Sequence, residues 1–132
     1  DRDGFIFYNK KNKKNHKKKL LNKNLLWYDT SFIIGANNAS KKQILDIFKC
    51  PDEIIGEGVY LTHWNMGDFI TAENKKKKKV KDIFSNNKLS LFDKKFYPII
   101  KNSDSKIIWV PKMQYEKYDC KSLTNIYWIK NG

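Results

Sequence analysis

A run of five lysines, Lys75–Lys79, is the strongest chemical signal in this chain. Ammonium groups at this density favour phosphate-rich partners, because neutralising each phosphate releases a condensed counterion. The apolar residues Val80, Ile83 and Phe84 follow directly, at the i, i+3 and i+4 spacing of one helix face. Asn87 falls at i+7 on the same face. We predict a helix over 78–87 with one face in the core. Three lysines would then remain on its solvated face: Lys78, Lys81 and Lys88.

Other residue types offer no comparable chemistry. Cys50 and Cys120 are isolated and lack the C-x-x-C spacing of metal or redox sites, so we interpret both as reduced thiols without a site. His16 and His63 have no Asp, Glu or Cys partner at ligand spacing. We therefore predict no metal site in this chain.

A catalytic centre is not predicted either. The chain has no glycine-rich phosphate loop, no G-x-S-x-G elbow and no Cys/His pairing that would activate a nucleophile. Three carboxylates lie close in sequence, at Asp52, Glu53 and Glu57, and we interpret them as turn caps that offset neighbouring lysines. We predict a domain that has no catalytic residues and binds no cofactor of its own.

The composition predicts one folded, strongly basic domain spanning 1–132. The chain has 132 residues and a net charge of +13, and 40% of its residues are hydrophobic, which suits a single core with buried aromatic rings. Arg2 is the sole arginine among its 27 basic residues. Abundant Lys, Asn and Ile are also typical of AT-rich genomes, so part of the charge needs no functional cause. No apolar run reaches the roughly 20 residues of a membrane span, and we expect a soluble cytoplasmic protein.

The lysines must be positioned by the short apolar runs that lie between turn residues. These runs predict a mainly β fold with one or two helices, which belongs to the α+β class. β-branched and aromatic residues favour strands at 4–8, 25–28, 31–34, 58–64, 69–70, 97–100, 106–110 and 123–129. Residues 40–49 fit either a helix capped by Ser40 or a strand, and residues 91–96 fit a short turn. Residues 102–105 predict a tight turn that makes a hairpin of the strands beside it.

A second basic segment, residues 9–24, is expected to be a low-complexity loop. Seven of the ten residues from Lys10 to Lys19 are lysine and none is apolar. Such a segment is typical of a solvated loop or hairpin end that becomes ordered only on a polyanion.

The tryptophans fall into two groups. Trp64, Trp109 and Trp128 lie within apolar runs and are expected in the core. Trp27 and Tyr28 flank a polar turn, which leaves open that one of them stacks on a nucleotide.

Several elements between Gly67 and Pro111 occur in a recognisable order. The Gly67-Asp68 turn comes first, followed by Lys-Lys-Val-Lys-Asp-Ile-Phe at residues 78–84. Further elements follow: Lys88-Leu89-Ser90, Lys94, Pro98-Ile99-Ile100 and Ile107-Ile108-Trp109-Val110-Pro111. This order resembles the C-terminal domain of tRNA(Ile)-lysidine synthetase, a family that places lysine on the wobble cytidine of a CAU anticodon. The resemblance is best over 60–111 and close over about a third of the chain.

The resemblance implies a layered β-sandwich like the terminal domain shared by lysidine synthetases and a phenylalanyl-tRNA synthetase subunit. It implies a noncatalytic C-terminal part of a larger ligase, whose N-terminal catalytic domain uses ATP with Mg²⁺. The implied partner is tRNA(Ile) with a CAU anticodon, held on its acceptor-stem side. Eight lysines are the expected tRNA contacts: Lys75, Lys76, Lys77, Lys78, Lys79, Lys81, Lys88 and Lys94.

The sequence departs from the family pattern at several positions. Thr62, Trp64 and Asn65 stand where family members usually carry arginines before the Gly-Asp turn, and Ser90 replaces the usual Pro. Lys94 stands where arginine is common, and a lysine provides a point charge instead of a bidentate guanidinium fork.

Two other functions stay open from the residues alone. The first is a general nucleic-acid-binding module that acts through charge and has no preference for tRNA. The second is a polybasic interaction or membrane-surface domain in which residues 10–19 meet anionic lipid.

Overall fold

The computed structural model describes residues 18–20, 24–35 and 40–131. The strands in these ranges are β1 (Lys18–Leu20), β2 (Leu25–Trp27), β3 (Thr30–Ile34), β4 (Ile44–Pro51), β5 (Val59–Thr62), β6 (Phe69–Thr71), β7 (Lys77–Lys79), β8 (Ile99–Lys101), β9 (Ile107–Val110), β10 (Gln114–Tyr115) and β11 (Leu123–Lys130). The helices there are α1 (Asp52–Glu57), α2 (Val80–Asn86) and α3 (Leu91–Phe96), and a 3-10 turn covers Glu73–Lys75. The mainly β, α+β class is confirmed, with three short α-helices in place of the predicted one or two.

The strands form two sheets. The larger sheet has the strand order β1-β5-β8-β9-β6-β7, with β10 paired to β9, and the smaller sheet has the order β2-β3-β11-β4. Within the described ranges β6 and β9 run parallel, while the other pairs are antiparallel. The predicted hairpin is β8–β9, and the Asn102 side chain stabilises its turn by accepting from the backbone N–H groups of Asp104 and Lys106.

The core between the two sheets is aromatic. Phe32 and Trp128 of the smaller sheet stack with their centroids 5.9 Å apart, and Phe48 stacks on Trp109 of the larger sheet at 5.2 Å. Trp109 is 1% exposed and Trp128 is 7% exposed. Their assignment to the core is confirmed.

Helix α2 forms a third layer, on the face of the larger sheet that points away from the smaller one. Its buried residues are Val80, Ile83 and Phe84, and they pack on sheet residues that include Ile70, Ile99, Ile107 and Val110. Adjacent residues of β8 therefore pack in different layers of the fold. Ile99 faces α2, and Ile100 faces the smaller sheet. The predicted apolar helix face is confirmed. Trp64 is only partly buried and packs edge-on against Phe84, with centroids 5.5 Å apart.

Helix α2 begins at Val80, two residues later than predicted. Lys77–Lys79 form strand β7 instead, and the backbone of Lys79 is extended, with φ −72° and ψ 136°. A run of lysines has no hydrophobic period of its own, so pairing with Phe69–Thr71 decides its conformation. The helix also ends before Asn87, which is exposed and caps it by donating from Nδ2 to the Ile83 carbonyl over 2.7 Å.

Three other segments needed the structure to define them. Residues 40–49 fit either a helix or a strand by sequence, and from Ile44 onward they belong to strand β4, which pairs along β11. Residues 91–96, predicted as a turn, form α3, whose N-cap Ser90 accepts from the Asp93 N–H over 3.0 Å. The three carboxylates predicted to cap turns, Asp52, Glu53 and Glu57, lie in helix α1 instead. Asp52 and Glu53 are its first two residues.

Part of the basic segment 9–24 is a strand and not a loop. Lys18–Leu20 pair with Val59–Leu61, and Leu20 is fully buried. The strand predicted at 4–8 and the lysines from 10 to 17 lie outside the described residues.

Candidate nucleic-acid interface

Lys77–Lys79 form the edge strand of the larger sheet. In the described chain β7 pairs with β6 alone, with Lys79 opposite Phe69, Lys78 opposite Ile70 and Lys77 opposite Thr71. All three lysines are exposed. Ladder hydrogen bonds hold the strand on one side, while an edge strand turns its other backbone groups outward. The result is an ordered cationic ridge on a sheet, where the sequence predicted a cationic helix face.

The loop between β6 and β7 carries the first two lysines of the run. The Lys75 N–H donates to the Ala72 carbonyl over 3.1 Å, and the Ala72 N–H donates to the Lys76 carbonyl over 2.7 Å. Asn74 and Lys75 take positive φ values of 67° and 59°, which let the chain turn tightly. Lys75 and Lys76 are both exposed and project from this closed loop beside β7.

The side chains of β7 alternate between two faces. The Lys77 Nζ lies 4.6 Å from the centroid of the Phe69 ring, so Lys77 and Lys79 share the face of Phe69, which is opposite to the face that packs on α2. Lys78 lies opposite Ile70, whose side chain packs toward α2. The lysines therefore surround the edge of the sheet and do not form a single flat face.

A groove of about 500 Å³ lies between β7, α2 and the start of β10. The β7 lysines line it together with Asp82, Asn86, Met113 and Gln114. Amide and ammonium groups of this kind can donate to phosphates and to 2′-hydroxyls. Asp82, the acidic residue of this lining, lies in the first turn of α2, where the helix dipole favours a carboxylate.

The remaining predicted contact lysines lie at different distances from this edge. Lys81 is exposed in the first turn of α2, directly after β7. Lys88 lies two residues beyond the other end of α2, a helix about 10 Å long at roughly 1.5 Å per residue. Lys94 is half-buried in the last turn of α3, where a cation stabilises the helix end. The structure thus brings Lys75–Lys79 and Lys81 together and places Lys88 and Lys94 on other elements.

The Gly67-Asp68 turn holds the start of α2 against the sheet. Gly67 has φ 95°, a value that favours glycine. The Asp68 carboxylate accepts from the Asn65 N–H over 2.7 Å and lies 3.8 Å from the Lys101 ammonium. Its backbone carbonyl accepts from the Val80 N–H over 2.9 Å. This motif therefore positions the start of α2, directly after the lysines of β7.

Trp27 is excluded as a surface for nucleotide stacking. Its side chain is 3% exposed and its Nε1 donates to the Phe96 carbonyl over 2.8 Å. Tyr28 is half-buried, with its hydroxyl 2.7 Å from Nε2 of His63. Both residues belong to the packing around α3.

Phe69 is the aromatic residue that sequence reasoning missed. Its ring is 40% exposed and lies among the lysines of β7, while its neighbour Ile70 is fully buried. The signal available in the sequence was the alternation of the short strand Phe69–Thr71, which sends alternate residues to opposite faces.

The other groups with chemical potential are held in the scaffold. Cys50 is fully buried, and burial raises the pKa of its thiol to about 12, so it stays protonated at neutral pH. Asp52 accepts a hydrogen bond from the hydroxyl of Thr124. Over the described ranges, no three His, Cys, Asp or Glu side chains converge as a metal site. No helix in those ranges is long and apolar enough to cross a membrane.

The two sheets, the α2 layer and the lysine-bearing edge define an α+β sandwich with a basic edge strand. No protein-family model and no curated protein matches the sequence. The fold is similar to a solved structure described as the crystal structure of the TILS C-terminal domain, with a TM-score of 0.69 and 16% sequence identity. The match covers 88% of this chain and 98% of that one. This chain therefore has the fold of the TILS C-terminal domain, the domain of lysidine synthetase that residues 67–111 resemble.

Proposed function

We propose that this chain is a tRNA-binding domain and that its phosphate-contacting surface is the lysine edge, defined as Lys75–Lys79 and Lys81. The observation that carries the proposal is a run of five exposed lysines, three of them on the ladder-bonded edge strand β7 and two in the loop that precedes it. Folded domains bind duplex RNA through phosphates, 2′-hydroxyls and shape, because its major groove is too deep and narrow for side chains to read. A fixed row of ammonium groups suits such contacts.

We also propose that the domain serves a lysidine synthetase in the cytoplasm. Its partner is then tRNA(Ile) with a CAU anticodon, held on the acceptor-stem side. An N-terminal catalytic domain of the same protein would bind ATP with Mg²⁺ and join lysine to the wobble cytidine. The order of motifs from Gly67 to Pro111 and the shared fold support this assignment. In this proposal the present chain positions the tRNA and does not catalyse the lysine transfer, since its sequence has no glycine-rich phosphate loop.

Lysines at a sheet edge also have a purely structural role. Charged side chains, and lysine especially, prevent an edge strand from pairing with another sheet. The opposite edge of the larger sheet, β1, also contains lysines, at Lys18 and Lys19. Edge protection alone predicts that these lysines contribute no more to tRNA affinity than other exposed lysines, so variants of equal charge at different places separate the two roles.

The experiment is a titration of the 132-residue chain with CAU tRNA(Ile) and with a noncognate tRNA at several salt concentrations. Six phosphate contacts at roughly 0.9 each, the value for B-DNA, give a slope of log K against log salt of about −5. The triple variant Lys77→Glu/Lys78→Glu/Lys79→Glu should weaken binding and make this slope shallower by about three.

A second triple variant, Lys41→Glu/Lys42→Glu/Lys49→Glu, is the matched control. These lysines are also exposed but lie on β4 and the turn before it, in the smaller sheet. Both variants change the net charge equally, so a difference between them reports location. Equal losses in the two folded variants would exclude the lysine edge as the binding surface.

The same titration separates the rival functions. Preference for CAU tRNA(Ile) that survives moderate salt supports tRNA discrimination by this domain. Equal, steeply salt-dependent binding to tRNA and to random duplexes supports a general nucleic-acid-binding module. Absence of tRNA binding, together with pelleting on anionic vesicles, supports a membrane-surface domain.

A further inference from the structure

Phe69 presents a partly exposed ring beside two lysines of the edge strand. Lys79 lies directly opposite it in the β6–β7 ladder, and the Lys77 Nζ lies 4.6 Å from its ring centroid. The next residue, Ile70, is fully buried toward α2, so the pleat of β6 places the Phe69 ring on the opposite face of the sheet, beside the edge strand. Phe69 belongs to neither of the two buried clusters, and 40% of it is exposed.

We propose that Phe69, Lys77 and Lys79 form a binding site for an unpaired nucleotide. The base would stack on the Phe69 ring, and its flanking phosphates would contact the two ammonium groups. Proteins that bind single strands combine the same two elements, aromatic rings for the bases and cations along the backbone. This inference rests on the RNA binding proposed above. It specifies the preferred RNA as a duplex that carries unpaired nucleotides at one end. The duplex would contact the other lysines of the edge, which are Lys75, Lys76, Lys78 and Lys81.

The Lys77 ammonium over the ring does not block this site. A cation over an exposed aromatic ring contributes a factor of only about 2 to 5 in an equilibrium constant. A base stacked on an aromatic side chain contributes about 5- to 150-fold in affinity. A base therefore displaces the ammonium, and the flexible lysine side chain becomes available for a phosphate.

The competing explanation is structural. The apolar stem of Lys77 covers part of the Phe69 ring and keeps its charged end in water, which many surface lysines do. This explanation predicts no preference for unpaired nucleotides. The two explanations are therefore distinguished by comparing RNAs with and without unpaired nucleotides.

The test compares the affinity of the whole chain for RNA hairpins with one common stem at moderate salt. One hairpin is blunt, and the others carry four unpaired nucleotides at the 5′ or the 3′ end. We expect about tenfold tighter binding of one extended hairpin, at the lower end of the range for base stacking. Phe69→Leu should remove this preference and retain the affinity for the blunt hairpin, while Phe69→Trp should retain both.

Phe92→Leu is the matched control. Phe92 is 39% exposed, close to the value for Phe69, but it lies on α3. This variant loses a ring of equal exposure and should keep the preference for the extended hairpin. If Phe69→Leu melts below the assay temperature, Phe69→Ile replaces it, because isoleucine keeps apolar bulk and favours strands.

The outcomes separate the inference from the proposed function. Equal affinity of the wild type for all hairpins, or a preference that survives Phe69→Leu, overturns the stacking role and leaves RNA binding intact. Absence of binding to every hairpin overturns the proposed RNA binding and the nucleotide site with it.

Discussion

The indole Nε1 of Trp109 donates a 3.0 Å hydrogen bond to Oδ2 of Asp46, and this bond joins the two sheets. Trp109 lies in β9 of the larger sheet and Asp46 in β4 of the smaller one. The same carboxylate oxygen accepts from the Lys112 N–H over 2.6 Å. Asp46 therefore fixes the Trp109-Val110-Pro111 element at a position where the chain leaves the core.

We predict that Asp46→Ala destabilises the fold. Trp109 is 1% exposed, so its N–H would lose its acceptor with little access to water. A buried donor left without a partner costs about 1–3 kcal/mol. Urea unfolding should show a loss of this size, and Asp46→Asn, which keeps an acceptor oxygen, should lose less. Equal stability of Asp46→Ala and the wild type would contradict a structural role for this bond.

Phe84→Ala should lower the free energy of unfolding by about 3–5 kcal/mol, the usual cost of removing a buried phenylalanine. Phe84 is fully buried, and its ring lies edge-on to Trp64 and Tyr97, with centroids 5.5 and 5.4 Å away. Phe92→Ala is the control, because a ring that is 39% exposed leaves a smaller cavity. Thermal melting distinguishes them, and a shift near zero for Phe84→Ala would reject α2 as a core layer.

Local pattern was sufficient for most strands and for the buried face of α2. The runs at 25–28, 31–34 and 123–129 form β2, β3 and β11, because β-branched and aromatic residues bounded by turns specify strands almost independently of their partners. The helical spacing of Val80, Ile83 and Phe84 was sufficient to predict the buried face of α2 without knowledge of the sheet on which it packs.

The lysine edge itself could not be predicted in the same way. Lys77–Lys79 have no period, and their strand exists because Phe69–Thr71 offer an edge to pair with. The roles of Asp46 and Phe69 likewise depend on residues far away in the sequence or across a ladder, at Trp109 and Lys77. Such tertiary relationships are not encoded in local spacing.

Two glycines should respond to alanine with opposite signs. Gly67 has φ 95°, and an alanine there would be strained by about 1–2 kcal/mol. Gly56 lies within α1, where alanine is favoured over glycine by up to about 1 kcal/mol. A Cβ at either position meets nothing within 4 Å, so the backbone alone decides the sign. Differential scanning calorimetry should show a lower Tm for Gly67→Ala and a higher Tm for Gly56→Ala, and shifts of the same sign would contradict these backbone conformations.

Stability should fall in alkaline solution because Cys50 resists ionisation in the native state. Burial raises the pKa of its thiol from the ordinary value of 9.0 to about 12. Above pH 9 the unfolded chain releases this proton while the native chain keeps it, so its contribution is fully present below pH 9 and is lost as the pH rises toward 12. Burial also raises the pKa of Tyr97 and of Tyr118, whose hydroxyl donates to Glu116, and both groups act in the same direction.

The contribution of Cys50 can be isolated by substitution. One proton corresponds to a slope of about 1.4 kcal/mol per pH unit, so Cys50→Ala should make the decline in unfolding free energy between about pH 9 and pH 11 shallower by up to that amount. Cys120→Ala is the control for loss of a thiol as such, because that side chain is exposed. Urea unfolding at several pH values gives both slopes. A Cys50→Ala slope equal to that of the wild type would show that the thiol ionises as readily in the folded chain as in the unfolded one.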